Sequence, residues 1–211
     1  MIVLAIDTAL DVCAIAIARD GVVLSHLSEV MRSGQAERIA PMAREAAQTA
    51  GISFSEIDRI AVTAGPGSFT GVRIGLAFAR GLALALKRPC LGVSTLEALA
   101  LERGEAGLRG AIIATASACY GALYRDGAAI LAPQRLEPAA ASETFAAAAQ
   151  GTAFCVRGPG ASMLDLTNVA REECAAADAA ALALRAGRLQ PAHYPPDPLY
   201  LRAALEAKIK A

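Results

Sequence analysis

The sequence has no tryptophan, only 4% aromatic residues and a formal net charge of +0, from 20 basic and 20 acidic residues. Few aromatic side chains leave little material for stacking nucleic-acid bases. A chain that holds nucleic acid by itself normally carries a basic excess. These absences argue against independent nucleic-acid binding, and we expect any such role to require a partner.

Histidine is equally scarce, since His26 and His193 stand far apart and no H-x-x-x-H pair occurs. A histidine-based metal site or a Ser-His hydrolase is therefore not expected, and no metal ligand is assigned. The five cysteines form no C-x-x-C pair and mostly lie among small apolar residues. We expect buried free thiols in a reducing cytoplasm.

No export or membrane segment is evident at the N-terminus. Its apolar run lacks the preceding positive charge of a signal peptide, and Asp7 interrupts it early. The longer apolar stretches contain glycine or arginine and are short for a membrane span. We therefore expect a cytoplasmic protein without a membrane anchor.

The most informative segment is residues 63–75, with sequence TAGPGSFTGVRIG. It follows a predicted strand and leads into an apolar helix that runs to about Leu86. Glycines on both sides of Pro66 permit a sharp turn, and Ser68 or Thr70 can cap the helix. Such a turn predicts either an anion cradle made by free helix amides or a tight connection without a ligand.

The turn does not match three known motifs of nucleotide-binding or catalytic sites. The segment lacks the third glycine of a dinucleotide-binding fingerprint, and no G-K-[ST] of a P-loop follows. The residues around Ser68 do not form the G-x-S-x-G of a nucleophile elbow. We therefore interpret the turn as a corner that positions the following helix, at which the glycines and Arg73 can still hold an anion without performing chemistry.

Asp7 and Thr8 follow the buried strand predicted at residues 2–6. A carboxylate at the C-terminal end of a central strand can face a ligand, here a hydrated metal or nucleotide phosphates. Alternatively, Asp7 caps the next turn. The candidate nucleotide- or anion-binding residues are Asp7, Thr8, Gly65, Gly67, Ser68, Thr70, Gly71 and Arg73.

The predicted elements follow the order β-β-β-α-β-α in the first half of the sequence, and the same order recurs in the second half. Asp20-Gly21 and Asp126-Gly127 are hairpin signals at matching places, and Gly158-Pro159-Gly160 repeats the earlier Gly65-Pro66-Gly67. The alternative is that the halves only share common turn residues. We predict an α/β protein with subdomains at residues 1–105 and 106–211, the second degenerate and ending in a proline-rich tail and a short helix at 202–210.

The helix from about Val72 to Leu86 contains no acidic residue, and Arg73, Arg80 and Lys87 recur every seven residues as one basic stripe. Its remaining faces are apolar, which predicts burial on two sides. Either a partner covers the second side, together with the helix at about 35–50, or these two helices only pack on each other. The predicted partner-interface residues are Ala36, Ile39, Ala43, Ala47, Arg73, Ala77, Arg80 and Ala83.

These residues resemble a known family. The segments Ile6-Asp7-Thr8, GPGSFTGVRIG at 65–75 and Pro198-Leu199-Tyr200-Leu201-Arg202 are similar to those of the TsaB (YeaZ) proteins. The resemblance covers most of the first half and the tail. It implies the actin/Hsp70-like ATPase (ASKHA) fold with two ribonuclease H-like halves.

The resemblance also implies a function. Family members act as non-catalytic scaffold subunits, bind the transferase TsaD and the ATPase TsaE, and form homodimers in isolation. They contribute to making threonylcarbamoyladenosine beside the anticodon of ANN-decoding tRNAs, and tRNA is met only through the complex. No cofactor is required of this subunit, although ATP or ADP with Mg²⁺ at the complex interface is compatible with the family. Its members have often been labelled glycoprotease-like, but no protease activity is expected here.

Two departures from the family pattern stand out. Residues 113–120, IATASACY, lack the acid and the arginine of a common D-A-R segment, and Gln35 replaces a frequent histidine. A second hypothesis is a self-standing nucleotide-dependent kinase or acyl-transferase of the same fold, based on Asp7 and the glycine turn. A metalloprotease-like relative is a third, which the histidine count disfavours.

Overall fold

The computed structural model describes residues 1–102, 104–116 and 118–201, so the helix predicted at 202–210 lies outside the described residues. The first half contains β1 (Ile2–Asp7), β2 (Val12–Arg19), β3 (Val22–Val30), α1 (Gln35–Ala50), β4 (Arg59–Thr63), α2 (Phe69–Leu86), β5 (Cys90–Val93) and α3 (Thr95–Ala100). The second half contains β6 (Leu108–Ala114), β7 (Cys119–Arg125), β8 (Ala128–Leu136), α4 (Ala141–Ala149), β9 (Phe154–Arg157), β10 (Val169–Glu172) and α5 (Ala179–Ala186).

The first sheet has the strand order β3-β2-β1-β4-β5. Strands β1, β2 and β3 form an antiparallel meander, whereas β4 and β5 run parallel to β1. All six residues of β1 are buried, as expected for a continuous apolar run at the centre of a mixed sheet. The ends of β1 and β4 therefore meet at one edge of the sheet, where Asp7 and Thr63 lie.

The second sheet repeats this arrangement, with the order β8-β7-β6-β9-β10 when read from its meander edge. In both hairpins the Asp-Gly pair takes positive φ angles, 50° and 84° at Asp20-Gly21 and 49° and 82° at Asp126-Gly127. The matching strand orders confirm the predicted duplication. Two ribonuclease H-like sheets in one chain give the actin/Hsp70-like ATPase fold.

The second half is degenerate in one specific element. Between β4 and β5 the first half has the 18-residue α2, whereas between β9 and β10 the second half has only a 3₁₀ turn at Ala161–Met163. The core of the second sheet is built instead around Phe145 of α4, which stacks on Phe154 with ring centroids 6.1 Å apart. Among its described residues, the second half therefore has no helix between β9 and β10 that corresponds to α2.

In the first unit, helices cover both faces of the sheet. Isoleucines and leucines of β1, β2 and β4 pack with α1 and α2 in one apolar core. The alternate residues of β1 and β2 are mostly small, such as Ala5 and Ala16, and are also buried. Helix α5 packs on these strands, so small side chains on this face admit its close approach.

The division into units differs from the predicted boundary at 105/106. The first compact unit comprises Met1–Thr95 and Ala176–Leu199, and the second comprises Leu96–Ala175 together with Tyr200 and Leu201. The predicted boundary was wrong because the chain returns to the first unit after β10.

Backbone and side-chain contacts hold the returning segment in place. The Gly92 amide donates to the Tyr194 carbonyl at 3.0 Å, and the Leu199 amide donates to the Ala64 carbonyl at 2.7 Å. The guanidinium of Arg59 donates to a carbonyl at the end of α5. The proline-rich tail therefore packs back along β5.

Candidate functional site

The turn between β4 and α2 is the best-defined candidate site. Ser68 is the N-cap of α2, and its hydroxyl oxygen accepts a hydrogen bond from the Gly71 amide at 3.3 Å. This satisfies one of the donors that a helix start leaves open. Of the two predicted capping residues, Ser68 therefore performs the role.

Three glycines of this segment lie every fourth residue and face the turn after β1. A Cβ atom at Gly67 would lie 2.1 Å from the Ala9 carbonyl oxygen, and one at Gly75 would lie 2.4 Å from the Thr8 hydroxyl oxygen. At Gly71 the corresponding distance to the Thr8 carbonyl oxygen is 2.1 Å. No side chain fits at such distances, so the glycines permit backbone packing rather than ligand access.

Hydrogen bonds close the same contact. The Ser68 amide donates to the Ala9 carbonyl at 2.6 Å, and the Thr8 hydroxyl donates to the Gly71 carbonyl at 2.7 Å. The Ser68 amide, at the start of α2, is therefore hydrogen-bonded to the Ala9 carbonyl rather than free to bind an anion. The β1–β2 turn occupies the space into which a side chain at Gly67 or Gly71 would point, and an anion at Thr8, Gly67 and Gly71 stays a prediction.

Asp7 is completely buried at the end of β1. Its Oδ1 accepts hydrogen bonds from the Thr63 hydroxyl at 2.6 Å and from the Ala9 amide at 2.9 Å, while its Oδ2 lacks a well-formed hydrogen bond among the described residues. Burial raises the pKa of this carboxyl, and the hydrogen bonds from Thr63, Ala9 and the Ala177 amide oppose the rise.

This environment does not fit the phosphates and Mg²⁺ of a nucleotide at Asp7 and Thr8. A metal-binding carboxylate needs a face open to the ion and its water, but Asp7 has no exposed surface and Thr8 is also buried. The alternative interpretation, in which Asp7 caps the next turn, agrees with its hydrogen bond to the Ala9 amide.

The remaining candidate residues divide by exposure. Gly65 is buried with φ 100°, and a Cβ there would lie 3.2 Å from the Leu199 carbonyl oxygen. Ser68, Thr70 and Arg73 are exposed at the start of α2. The guanidinium of Arg73 lies over the ring of Phe69, 3.7 Å from its centroid. An anion at these exposed residues remains a prediction.

The structure separates the predicted partner-interface residues into two groups. Ala36, Arg73, Ala77 and Arg80 are exposed. Four residues are buried in the first unit's own core, namely Ile39, Ala43, Ala47 and Ala83. For these four the prediction was wrong, because α1 and α2 turn them towards each other and towards the sheet. Mutual packing of the two helices and an exposed face therefore coexist.

The two largest exposed apolar side chains of α2, Phe69 and Leu84, were not among the predicted interface residues. Phe69 is 59% exposed and Leu84 is 82% exposed. The glycine spacing contained the signal, since Gly67, Gly71 and Gly75 mark the packed side of the helix and residues opposite them must point outward. Together with Arg73, Ala77 and Arg80, these residues form what we call the α2 outer face.

By length and composition, α2 alone among the described helices could cross a membrane. Its mean hydropathy is 1.4 and 33% of its residues are buried within the fold. One such helix is weak evidence for a membrane span, because core helices have the same properties. The buried residues of α2 belong to the first unit's core, which accounts for much of its apolar character.

In the part of the chain that the structure describes, neither departure from the family pattern brings together His, Cys, Asp or Glu side chains that could hold a metal. Gln35 is buried and donates from Nε2 to the Met31 carbonyl at 2.9 Å. Residues 113–120 span the turn from β6 to β7, where the Thr115 amide donates to the Ala118 carbonyl at 2.8 Å. Within the described ranges, which omit Ser117, no three His, Cys, Asp or Glu side chains are grouped to hold a metal.

Comparisons with known proteins give consistent relatives. The family model described as "TsaD: tRNA N6-adenosine threonylcarbamoyltransferase" matches residues 29–152. The chain is 46% identical over 100 residues to the tRNA threonylcarbamoyladenosine biosynthesis protein TsaB of Escherichia coli, which covers 47% of this chain and 43% of that protein. It is 36% identical over 123 residues to the TsaB of Buchnera aphidicola from Schizaphis graminum, covering 58% of each. The matches thus span about half the length of these relatives.

A solved structure matches over nearly the full length. It is a Pseudomonas aeruginosa protein described as uncharacterized with similarity to peptidase YeaZ. The TM-score is 0.76 at 30% identity, and the match covers 95% of this chain and 99% of that one. The likeness therefore extends through both units, beyond the half reached by the sequence matches.

Proposed function

Because this chain belongs to the TsaB (YeaZ) family, we propose that it is a non-catalytic scaffold subunit in the synthesis of N6-threonylcarbamoyladenosine in tRNA. The modified adenosine lies beside the anticodon of ANN-decoding tRNAs. The subunit acts by binding the transferase of the TsaD type, with the TsaE-type ATPase joining the complex.

One observation carries the proposal. The glycines of the motif allow α2 to pack closely against the turn after β1. On the opposite side of α2, Phe69 and Leu84 are exposed. An exposed apolar helix face is typical of an interaction surface rather than of a reaction centre. The motif thus supports a binding role for the helix that it positions.

The buried acid supports the non-catalytic assignment. The hypothesis of a kinase or acyl-transferase of this fold depends on Asp7 as a ligand-binding residue. Its carboxyl is instead buried and accepts hydrogen bonds from the Thr63 hydroxyl and the Ala9 amide. That geometry disfavours the alternative enzyme. The subunit that we propose has no protease activity and needs no cofactor of its own, and any ATP or ADP with Mg²⁺ binds at the interface with the partner.

The partners and the location follow from the same proposal. A chain with 20 basic and 20 acidic residues meets tRNA through its partners rather than alone. In isolation it associates with a second copy, and it works in the cytoplasm.

Reconstitution tests the function directly. The purified chain is mixed with the transferase homologue of its own organism, and the complex is looked for by gel filtration. The modification is then assayed on an ANN-decoding tRNA with and without this chain. We expect a complex and a modification that depends on it. No complex, or full modification in its absence, would overturn the proposal.

Calorimetry with ATP and Mg²⁺, followed by a turnover assay on the isolated chain, tests the alternative. We expect no turnover by the chain alone. Turnover that disappears in Asp7→Asn would instead support a nucleotide-dependent enzyme.

A further inference from the structure

Independently of the proposed function, we propose that a cavity at one end of the first unit binds a small monocarboxylate with an apolar body, such as a medium-chain fatty acid. The apolar body lies against side chains of β1, β2 and α5. The carboxylate binds the guanidinium of Arg188, which lines the same cavity.

The cavity lies where the start of β1, the β2–β3 hairpin and the end of α5 meet. Its volume is about 290 Å³, at the lower end of the range for ligand pockets, which begins at about 300 Å³. All of its lining residues belong to the first unit, so the cavity is complete within that unit. Its size fits a small metabolite rather than a segment of another protein.

Small apolar side chains form the floor of the cavity. Val3 and Ala18 are register partners in the β1–β2 pair, and Ala183 of α5 lies over these strands. These three residues are at most 2% exposed. Leu184, which is half-buried, adds an apolar wall. Such a surface favours contact with a hydrocarbon group over contact with water.

The Met1 side chain forms an adjustable wall. A Cβ atom added at Gly187 would lie 3.5 Å from Met1 Cε, so this side chain reaches from the start of β1 to the end of α5. Met1 is 44% exposed, and a methionine side chain is unbranched and flexible. Val23, the register partner of Ala18 on β3, is 37% exposed and extends the apolar surface beyond the cavity. The wall therefore adapts to hydrocarbon groups of different shape.

The charged groups of the cavity favour a carboxylate. Asp20 accepts a hydrogen bond from the Met1 amine, which balances its charge. Arg19 of the same hairpin pairs with Glu56 at 3.6 Å. The exposed guanidinium of Arg188 makes no ion pair or hydrogen bond with the other residues that the structure describes. A guanidinium beside an apolar surface can bind a carboxylate through two parallel hydrogen bonds.

The same charges disfavour two other classes of ligand. An ammonium compound would bring its charge close to Arg188 and would have to displace the Met1 amine from Asp20. A nucleotide would bring several negative charges to a cavity with one unbalanced cation and would leave the apolar floor without a matching group. A ligand with one negative charge and a hydrocarbon body satisfies both parts of the cavity.

The test titrates the full chain with three probes of equal chain length, octanoate, octanol and octylamine, in a calorimeter. We expect octanoate to bind at least tenfold more tightly than either of the other two, because only octanoate gains a charge-assisted hydrogen bond. Arg188→Glu should weaken octanoate binding at least tenfold. Arg188→Lys should retain most of the affinity, since the positive charge stays.

Amide NMR spectra of the full chain locate the bound probe. Octanoate should shift the amide signals of Gly21 and Gly187, which line the cavity. The signals of Gly104 and Gly151, which belong to the second unit, should not move. This readout separates binding in the cavity from unspecific contact of the hydrocarbon chain with other apolar surfaces.

Two further variants separate the apolar wall from the charge. Leu184→Gln keeps the size of a half-buried side chain but places an amide in the wall, so octanoate should bind several-fold more weakly. Arg88→Glu changes an exposed arginine of the first unit that does not line the cavity, and it should bind octanoate as the wild type does. Circular dichroism verifies that each variant is folded.

Equal affinity for the three probes, or a preference for octylamine, would overturn the inference. So would the lack of octanoate binding by the folded wild type, unweakened binding by Arg188→Glu, or amide shifts confined to residues outside the cavity. None of these measurements involves the transferase or tRNA. The failure of this inference would therefore leave the proposed function standing, and a failed reconstitution would leave the cavity's ligand unaffected.

Discussion

A Cβ atom added to Gly71 would lie 2.1 Å from the carbonyl oxygen of Thr8. Backbone atoms flank this contact, and the Thr8 hydroxyl donates back to the Gly71 carbonyl. The first turn of α2 and the turn after β1 are therefore locked together by backbone contact. No side-chain movement can make room for a methyl group there.

Gly71→Ala should consequently destabilise the protein strongly. We expect a loss of about 3 kcal/mol in the free energy of unfolding, at the upper end for overpacking, measured by urea denaturation. Gly81→Ala is the matched control in the same helix, because nothing lies within 4 Å of its added Cβ. Replacing this helical glycine should stabilise by about 0.5–1 kcal/mol. Equal effects of the two substitutions would contradict the packing role of Gly71.

Asp7 predicts a particular pH dependence. Its pKa is raised above the ordinary value by burial, so the folded state holds this proton more tightly than the unfolded state. The stability from that proton is fully present below the unfolded pKa, about 3.9, and is lost as pH rises through the folded pKa. Asp7→Asn lacks this dependence.

The stability of Asp7→Asn relative to wild type should therefore increase from about pH 4 upward, in urea titrations at several pH values. Other carboxyls, such as Glu29 beside Arg38, have lowered pKa values and shift both proteins alike. Asp165→Asn, at an exposed site, should run parallel to wild type. A constant difference between Asp7→Asn and wild type would show that the buried carboxyl does not carry the effect.

Ala77 and Ala83 give a matched pair on α2. Ala77 is exposed on the outer face, whereas Ala83 is only 6% exposed and belongs to the core. Ala77→Arg should leave circular dichroism and melting unchanged and abolish binding to the transferase homologue. Ala83→Arg should unfold the first unit, because it buries a charge without a partner. A folded Ala83→Arg, or unimpaired binding by Ala77→Arg, would contradict the orientation of the helix.

Local signals made much of the fold predictable. The Asp-Gly turns fix two hairpins because both residues accept positive φ, and the repeated Gly-Pro-Gly marks the same corner in each half. The conformation of such turns depends on adjacent residues and can therefore be predicted from the sequence. The duplicated strand order could be inferred from it without knowledge of any long-range contact.

Long-range packing was less accessible. The return of residues 176–199 to the first unit depends on long-range contacts, such as the hydrogen bond from the Leu199 amide to the Ala64 carbonyl. The local sequence pattern does not indicate such contacts. In α2, alanine, leucine and glycine occur on every side, so hydrophobic periodicity could not separate Ala77 from Ala83. For Asp7 the sequence left ligand and turn cap equally open, because only burial distinguishes them.

Arg59 offers a test of the returning segment. Its Nη1 donates to the carbonyl oxygens of Ala186, the last residue of α5, at 2.6 Å and of Leu189 at 2.8 Å. Arg59→Ala should lower the free energy of unfolding by about 2–3 kcal/mol, because two charge-assisted hydrogen bonds are lost from a part-buried site. Native-state hydrogen exchange should accelerate in α5 and remain unchanged in α4 of the second unit. Arg125→Ala, at an exposed site, should alter neither helix. Uniform acceleration throughout the chain would mean that α5 does not open on its own and that Arg59 supports the whole fold.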